Sequence, residues 1–209
     1  MPQTTTGIHS VLSVASIYDL SQRLVGADSL RRTIVSEYLI AGAHRRILDI
    51  GCGTAEILRF LPDDVEYIGF DASTEYIESA RRRFGSRGSF FAKLVTEADL
   101  GTLGQFDLVL ALSLLHHLSD PEARHVFSLG ALAIADGGRM FTNDACLVPD
   151  QSRIARAVID LDRGMNVRSP DGYRALAEPY FEQVTAVVRH DLLRIPYSHA
   201  LLTCAEPRT

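Results

Sequence analysis

The stretch Ile47-Leu48-Asp49-Ile50-Gly51-Cys52-Gly53-Thr54-Ala55-Glu56-Ile57 decides how the rest of the chain is read. An apolar run enters a Gly-x-Gly turn and leaves it in a helix-compatible segment, the pattern of a strand turning into a helix. Glycines at 51 and 53 allow unusual backbone angles and put no side chain in the way. In an open α/β sheet such a turn sits at the carboxyl end of its strand, where a ligand can lie against exposed backbone N–H groups. A tight βα turn without a ligand is the alternative reading.

Moving outward, short apolar runs at 46–50, 66–70, 89–95, 107–112 and 138–142 alternate with helix-compatible stretches. Strands that are apolar almost throughout suit a parallel sheet whose crossover helices cover both faces, so the class is α/β. Two segments with helical spacing, 11–24 and 29–40, precede the first strand and form an N-terminal cap over 1–42. The 119–135 stretch predicts a helix that starts at Ser119 or Asp120, carries Pro121 in its first turn and stops before Asp136-Gly137-Gly138. After a cofactor-binding core over 43–146, the pattern changes. Helical stretches at 151–163 and 170–177 lie in a 147–178 segment longer than a crossover needs, which reads as a helical lid. A strand pair within 179–209 completes a single domain over 1–209.

The chain has 209 residues, 46% hydrophobic and 22% charged, which suits one soluble globular domain. A net charge of −5 gives no general attraction for phosphate backbones, so no nucleic-acid partner is expected. Arg81, Arg82, Arg83 and Arg87 are a candidate basic patch, but a basic run at a helix end also complements the helix dipole. Cys52, Cys146 and Cys204 form no CxxC pair, which argues against disulfides and a metal site and suits a reducing cytosol. A polar N-terminus and the lack of a run of ~20 apolar residues predict a cytoplasmic protein with no membrane association.

A second chemical signal is Tyr67-Ile68-Gly69-Phe70-Asp71, a strand ending in a carboxylate that can hold a ribose diol. Asp71, Ser73 or Thr74 can equally cap the following helix. The third glycine of GxGxxG is absent, position 56 is Glu, and no Gly-Lys-Ser/Thr is present to cradle phosphate. Carboxylates such as Asp49 near the turn favour a cationic ligand without phosphate. Glu56 has a second explanation, since acidic residues are favoured in the first turn of any helix.

These residues resemble the class I S-adenosylmethionine-dependent methyltransferases. Leu48-Asp49-Ile50-Gly51-Cys52-Gly53-Thr54 is similar to that family's first motif and Asp71 to its ribose-binding acid. Phe106-Asp107-Leu108-Val109-Leu110 with Leu114-Leu115-His116-His117-Leu118 resembles its fourth-strand region, and Asp136-Gly137-Gly138-Arg139 its turn into strand five. The resemblance implies a Rossmann-like seven-stranded sheet of order 3-2-1-4-5-7-6 with the last strand antiparallel. It further implies a cofactor site of Asp49, Gly51, Cys52, Gly53, Asp71, Ala72, Asp99 and Leu112, with S-adenosylhomocysteine as product. Asp99 is the chosen adenine contact, with Glu97 and Thr96 as alternatives. Ala55 replaces a common glycine, and a tighter cofactor fit is expected from it.

Methyl transfer is an in-line displacement that mainly needs alignment, with a base for an acidic acceptor. His116 and His117 are the candidate bases, although the same residues can serve packing. The least generic residues, Tyr18, Arg163, Arg168, Tyr173 and Tyr197, are candidate contacts for a small organic acceptor. Arg163 can instead pair with Asp160 or Asp162. An RNA or protein methyltransferase is disfavoured by the acidic balance and by the lack of an Asn/Asp-Pro-Pro-Tyr/Trp motif. A non-catalytic cofactor-binding module is the remaining alternative.

Overall fold

The computed structural model describes residues 26–39, 45–161 and 166–208. Its strands are β1 (Arg46–Ile50), β2 (Glu66–Asp71), β3 (Gly88–Ala92), β4 (Phe106–Leu112), β5 (Ile134–Ala145), β6 (Phe181–Arg189) and β7 (His199–Pro207). They form one sheet of order β3-β2-β1-β4-β5-β7-β6, as expected. The first five strands are parallel, and β7 runs antiparallel to both β5 and β6. The chain therefore reverses its winding direction between β1 and β4, which opens a crevice at their carboxyl ends.

Side chains alternate across this sheet. Ile47, Tyr67, Leu108 and Leu110 pack on one face with Ile34 of α1 (Ala27–Ile34) and Ile77 and Ala80 of α2 (Thr74–Phe84). Leu48, Ile68, Phe70 and Val109 pack on the other with Leu100 of α3 (Glu97–Leu103) and Phe127 of α4 (Asp120–Ala133). The continuous apolar character of the strands follows from this two-sided burial. Helix α1 continues as a π turn over Val35–Leu39, so the predicted 29–40 helix is recovered with a widened last turn. The predicted helix over 11–24 lies outside the described residues. Helix α4 starts where its sequence predicts, with a capping box between Ser119 and Glu122 and proline in the first turn. Strand β5 begins earlier than expected. The 135–138 segment bulges opposite Asp107, with Gly137 at φ 76°, before pairing resumes at Arg139.

Two expectations change. The helix predicted after the glycine turn is only a 3₁₀ turn, Glu56–Arg59. Pro62 lacks an N–H and its ring clashes with the carbonyl four residues back, that of Leu58. The Arg87 guanidinium occupies the stranded carbonyls instead, at 2.7 Å from Leu58, 3.2 Å from Leu61 and 2.7 Å from Pro62. The candidate basic patch is used up in similar ways: Arg81 donates to the Phe90 carbonyl, Arg82 pairs with Glu78 and Arg83 with Glu56.

The second change concerns the segment read as a lid. It contains α5 (Arg153–Leu161) and α6 (Pro170–Ala177). Helix α6 buries Tyr173, Leu176 and Ala177 in the core beside Phe181, which makes it an ordinary crossover helix into β6. Among the described residues of this segment, Val158 of α5 lines the crevice. Among the described residues, no helix is long and apolar enough to cross a membrane.

Ala55 adopts a left-handed conformation, φ 56° and ψ 32°, with its methyl group 1% exposed in the core. Glycine there relieves about 1–2 kcal/mol of strain. It loses ~0.8 kcal/mol of methyl burial and about 0.5–1 kcal/mol to chain entropy. These terms cancel, so Ala55→Gly should melt within about 3 °C of the parent in a thermal unfolding scan. Because the methyl does not face the crevice, the variant should also leave ligand affinity unchanged.

Candidate active site

A cavity of about 540 Å³ opens at the carboxyl ends of β1, β2, β4 and β5, with the start of β7 beside them. Its floor is the glycine turn. Gly51, at φ 77°, is packed so tightly on Leu114 that a Cβ would lie 2.8 Å from a methyl carbon. Gly53, at φ 54°, has nothing within 4 Å of its missing Cβ and leaves open space for a ligand. The expected row of free amides is not there, however. The N–H groups of Gly51 and Cys52 donate to the Phe70 carbonyl at 2.8 and 3.0 Å, and that of Gly53 donates to Asp71 Oδ2 at 2.9 Å. With these amides committed, the turn offers no anion cradle and suits a ligand without phosphate.

Asp71 ends β2 and lines the cavity, its Oδ1 accepting from the Ser73 N–H at 2.8 Å. The helix cap is Ser73, whose hydroxyl accepts from the Tyr76 N–H. Each Asp71 oxygen keeps acceptor capacity for a further donor. Asp49 is 2% exposed, and Tyr67 donates its hydroxyl to Oδ2 at 2.6 Å. Its Oδ1 is buried without a hydrogen-bond partner. Burial pushes the Asp49 carboxyl up to about 7; the Tyr67 hydrogen bond opposes this and the negative charge of Asp71 adds to it. Glu56, by contrast, is paired with Arg83 and Arg59, so its charge is balanced within the protein. Burial, with Asp49 and Asp71 nearby, pushes the Cys52 thiol far up and leaves it un-ionised near neutrality.

The opposite wall is built by β4, β5 and β7. Ser113, at φ 54°, turns the chain out of β4 and donates its N–H to the Asn143 carbonyl at 2.7 Å. This delivers the 3₁₀ turn Leu115–His117 to the cavity. His116, 4% exposed, lies with Nδ1 2.9 Å from Asp144 Oδ1, and its backbone N–H donates to the same oxygen at 3.2 Å. The His117 ring stands 4.0 Å from that of His116, and the Tyr197 and His199 rings are 4.8 Å apart. Residues Leu30, Arg31 and Ile34 of α1 with Leu193 and Ile195 form the roof. Helix α1 is tied down by the ion pair of Asp28 with Arg59, and the π turn after it by that of Glu37 with Arg189.

Of the residues expected from sequence, Asp49, Gly51, Cys52, Gly53, Asp71, Leu112, His116, His117 and Tyr197 line this one cavity. Ala72 is outside its lining. Asp99 lies outside this lining, at the third position of α3, where it completes a capping box with Thr96: Oδ2 accepts from the Thr96 N–H and hydroxyl, and Oδ1 faces Lys93. Tyr173 is fully buried and donates its hydroxyl to the Ala145 carbonyl at 2.9 Å, so it packs the core and is no part of an aromatic wall. Arg168 is committed as well. Its guanidinium donates to the carbonyls of Leu115, Asn166 and Leu118 and pairs with Asp120, which leaves nothing for an acidic acceptor. Tyr18 and Arg163 lie outside the described residues. Sequence reading missed Arg31, Tyr76, Asn143 and His199. The polar pair Asn143-Asp144, at the carboxyl end of its strand, was the available signal.

A family model described as a methyltransferase domain matches residues 48–140. The 27-O-demethylrifamycin SV methyltransferase of Amycolatopsis mediterranei (strain S699) is 33% identical over 167 residues, covering 75% of this chain and 56% of that protein. The carboxy-S-adenosyl-L-methionine synthase of Campylobacter curvus (strain 525.92) is 26% identical over 159 residues, covering 75% of this chain and 63% of that protein. The chain thus spans somewhat over half the length of these curated relatives. Among solved structures, the plantazolicin methyltransferase BpumL, in complex with a triazolic desmethylPZN analog and SAH, superposes with a TM-score of 0.66. It is 14% identical, with 93% of this chain and 90% of that one covered, a likeness of fold.

Arg168 should behave as a structural clasp. Arg168→Met should lower the free energy of unfolding by about 2–4 kcal/mol in a urea titration, since several charge-assisted hydrogen bonds to partly buried carbonyls are lost. Ligand affinity of the folded fraction should stay within about threefold of the parent, a change of under ~1 kcal/mol in binding.

Proposed function

The chain belongs to the class I S-adenosylmethionine-dependent methyltransferase family, and from that premise we propose that it methylates a hydroxyl group of a small organic molecule. The observation that carries the reading is the pairing, within one cavity, of a cation-seeking carboxylate at the glycine turn with a carboxylate-held histidine on the opposite wall.

The residues present fit the cofactor. The orphaned Asp49 oxygen suits a ligand carrying ammonium and sulfonium charges, Asp71 suits a ribose diol, and Gly53 leaves room at the turn. Because S-adenosylmethionine has no phosphate, the committed amides of the turn are no handicap. Arg31 in the roof is a counterpart for its carboxylate. When bound, the cofactor supplies a methyl group activated by its sulfonium and departs as S-adenosylhomocysteine.

The chain supplies alignment and a proton acceptor. With Nδ1–H directed at Asp144, Nε2 of His116 carries the lone pair. It takes the acceptor's hydroxyl proton while that oxygen's electrons form the new C–O bond, and it passes the proton to solvent afterwards. Asp144 orients the ring and stabilises the imidazolium. A cavity of about 540 Å³ is of small-molecule size. The lining residue Val158 supports α5 as the part of the 147–178 segment that covers the acceptor. The three free cysteines go with a cytoplasmic setting.

Calorimetric titration with S-adenosylmethionine, S-adenosylhomocysteine and NAD tests the reading directly. The two sulfur ligands should bind and NAD should not, and Asp71→Ala should weaken both by roughly tenfold or more, about 1.4 kcal/mol. Preference for NAD, or binding of none of the three, overturns the assignment.

The pH dependence should follow Asp49. Its raised folded pKa means that folding favours the neutral form, so this contribution to stability is present at low pH and lost as pH rises through about 7. A ligand ammonium binds the carboxylate form, so the melting-temperature gain from S-adenosylhomocysteine, which keeps that ammonium after the sulfonium charge is lost, should be larger at pH 8 than at pH 6. Asp49→Asn should flatten that difference. Once an acceptor is in hand, His116→Ala should reduce turnover by about 10²-fold or more while cofactor affinity holds. Near-normal turnover across pH in both His116→Ala and His117→Ala would remove the base from the mechanism.

A further inference from the structure

We propose that Asn143 selects the acceptor by accepting a hydrogen bond from a second donor, a hydroxyl or N–H, carried beside the hydroxyl that is methylated; the proposal rests on the methyl-transfer reading above. Asn143 is 1% exposed and lines the cavity, and its Oδ1 is buried without a hydrogen-bond partner. Buried side-chain amides are normally hydrogen-bonded, and an orphaned one destabilises the fold unless a ligand completes it. Its sheet neighbours do not complete it: Asn143 pairs with Leu112 on β4 and Leu201 on β7. On its own face of β5 the residue before it is the buried Phe141 and the one after it is the buried Ala145, so a hydrophobic residue at 143 would serve packing better.

Position decides which ligand Asn143 meets. It lies on β5, two strands from the β1 glycine turn and on the far side of β4, so it belongs to the acceptor half of the crevice. Asn143 and His116, which Asp144 holds from the other face of β5, line the same cavity, so one acceptor can meet both. The surrounding wall is made of rings and aliphatic side chains, Tyr197, His199, Leu193 and Ile195, while Arg168 is tied to backbone carbonyls. That wall suits an uncharged, flat acceptor. An ortho-dihydroxylated ring meets all three requirements: one hydroxyl for His116, the other for Asn143, and a face for the rings.

The test uses the full chain loaded with S-adenosylhomocysteine and titrated with catechol and with phenol, followed by ligand-observed NMR, in the parent and in Asn143→Leu, which keeps the γ-branch. The parent should bind catechol at least about tenfold more tightly than phenol, and the variant should bring the two within about twofold. Removing an unsatisfied amide should also raise the melting temperature of the unliganded variant by about 2–4 °C. A parent without preference, a variant that keeps it, or a variant that melts lower or fails to fold overturns the proposal. Asn143→Ala, run alongside, must lose the preference too. Loss of S-adenosylhomocysteine binding in the parent sinks the methyl-transfer reading itself, whereas intact binding without a catechol preference sinks only the role of Asn143.

Discussion

The carbonyl of Phe70 and the carboxylate of Asp71 hold the turn that leaves β1, and the rest of the site depends on that attachment. Three consecutive amides donate to the end of β2, so the turn cannot drift from the neighbouring strand. Gly51 can then press on Leu114 and Gly53 can face open space. Because β1 and β4 flank the reversal in winding, the same crevice receives the loop after β4 with its two histidines. Strain collects at this boundary: the left-handed Ala55 and Ser113 both sit where a strand empties into the cavity's rim.

Two buried carboxylates divide the chemistry between them. Asp49 has one hydroxyl donor and one orphaned oxygen, so burial dominates and its carboxyl is pushed up to about 7. Asp144 also has one orphaned oxygen, Oδ2, but its Oδ1 has a histidine within 2.9 Å and a backbone amide. The first environment is improved by a cation arriving from outside, while the second orients an imidazole that the chain already owns. The two lie on opposite sides of β4, at the carboxyl end of which the cavity opens.

The arginines teach a different lesson. Arg87 and Arg168 each satisfy backbone carbonyls that irregular segments leave open, and Arg83 neutralises the buried Glu56. A guanidinium has five donors in a rigid fork, which suits several carbonyls as well as it suits a ligand carboxylate. Nothing in the residue type or its spacing tells these uses apart.

The sequence by itself determined the strand-and-helix alternation, the switch-point turn and the carboxylates at Asp49 and Asp71. These rest on local rules, namely apolar period, glycine geometry and strand-end placement. The family resemblance supplied the sheet order, with its antiparallel strand, and the expectation of His116 at the end of β4. Only the tertiary structure decided which polar groups remain available. Asp99 joined Thr96 in the capping box of α3, Arg168 and Tyr173 were consumed by backbone carbonyls, and Asp144, Asn143 and His199 arrived from strands far along the chain. Hydrogen-bond satisfaction is a property of what surrounds a group after folding, so partners distant in sequence decide whether a side chain is a brace or a binding group.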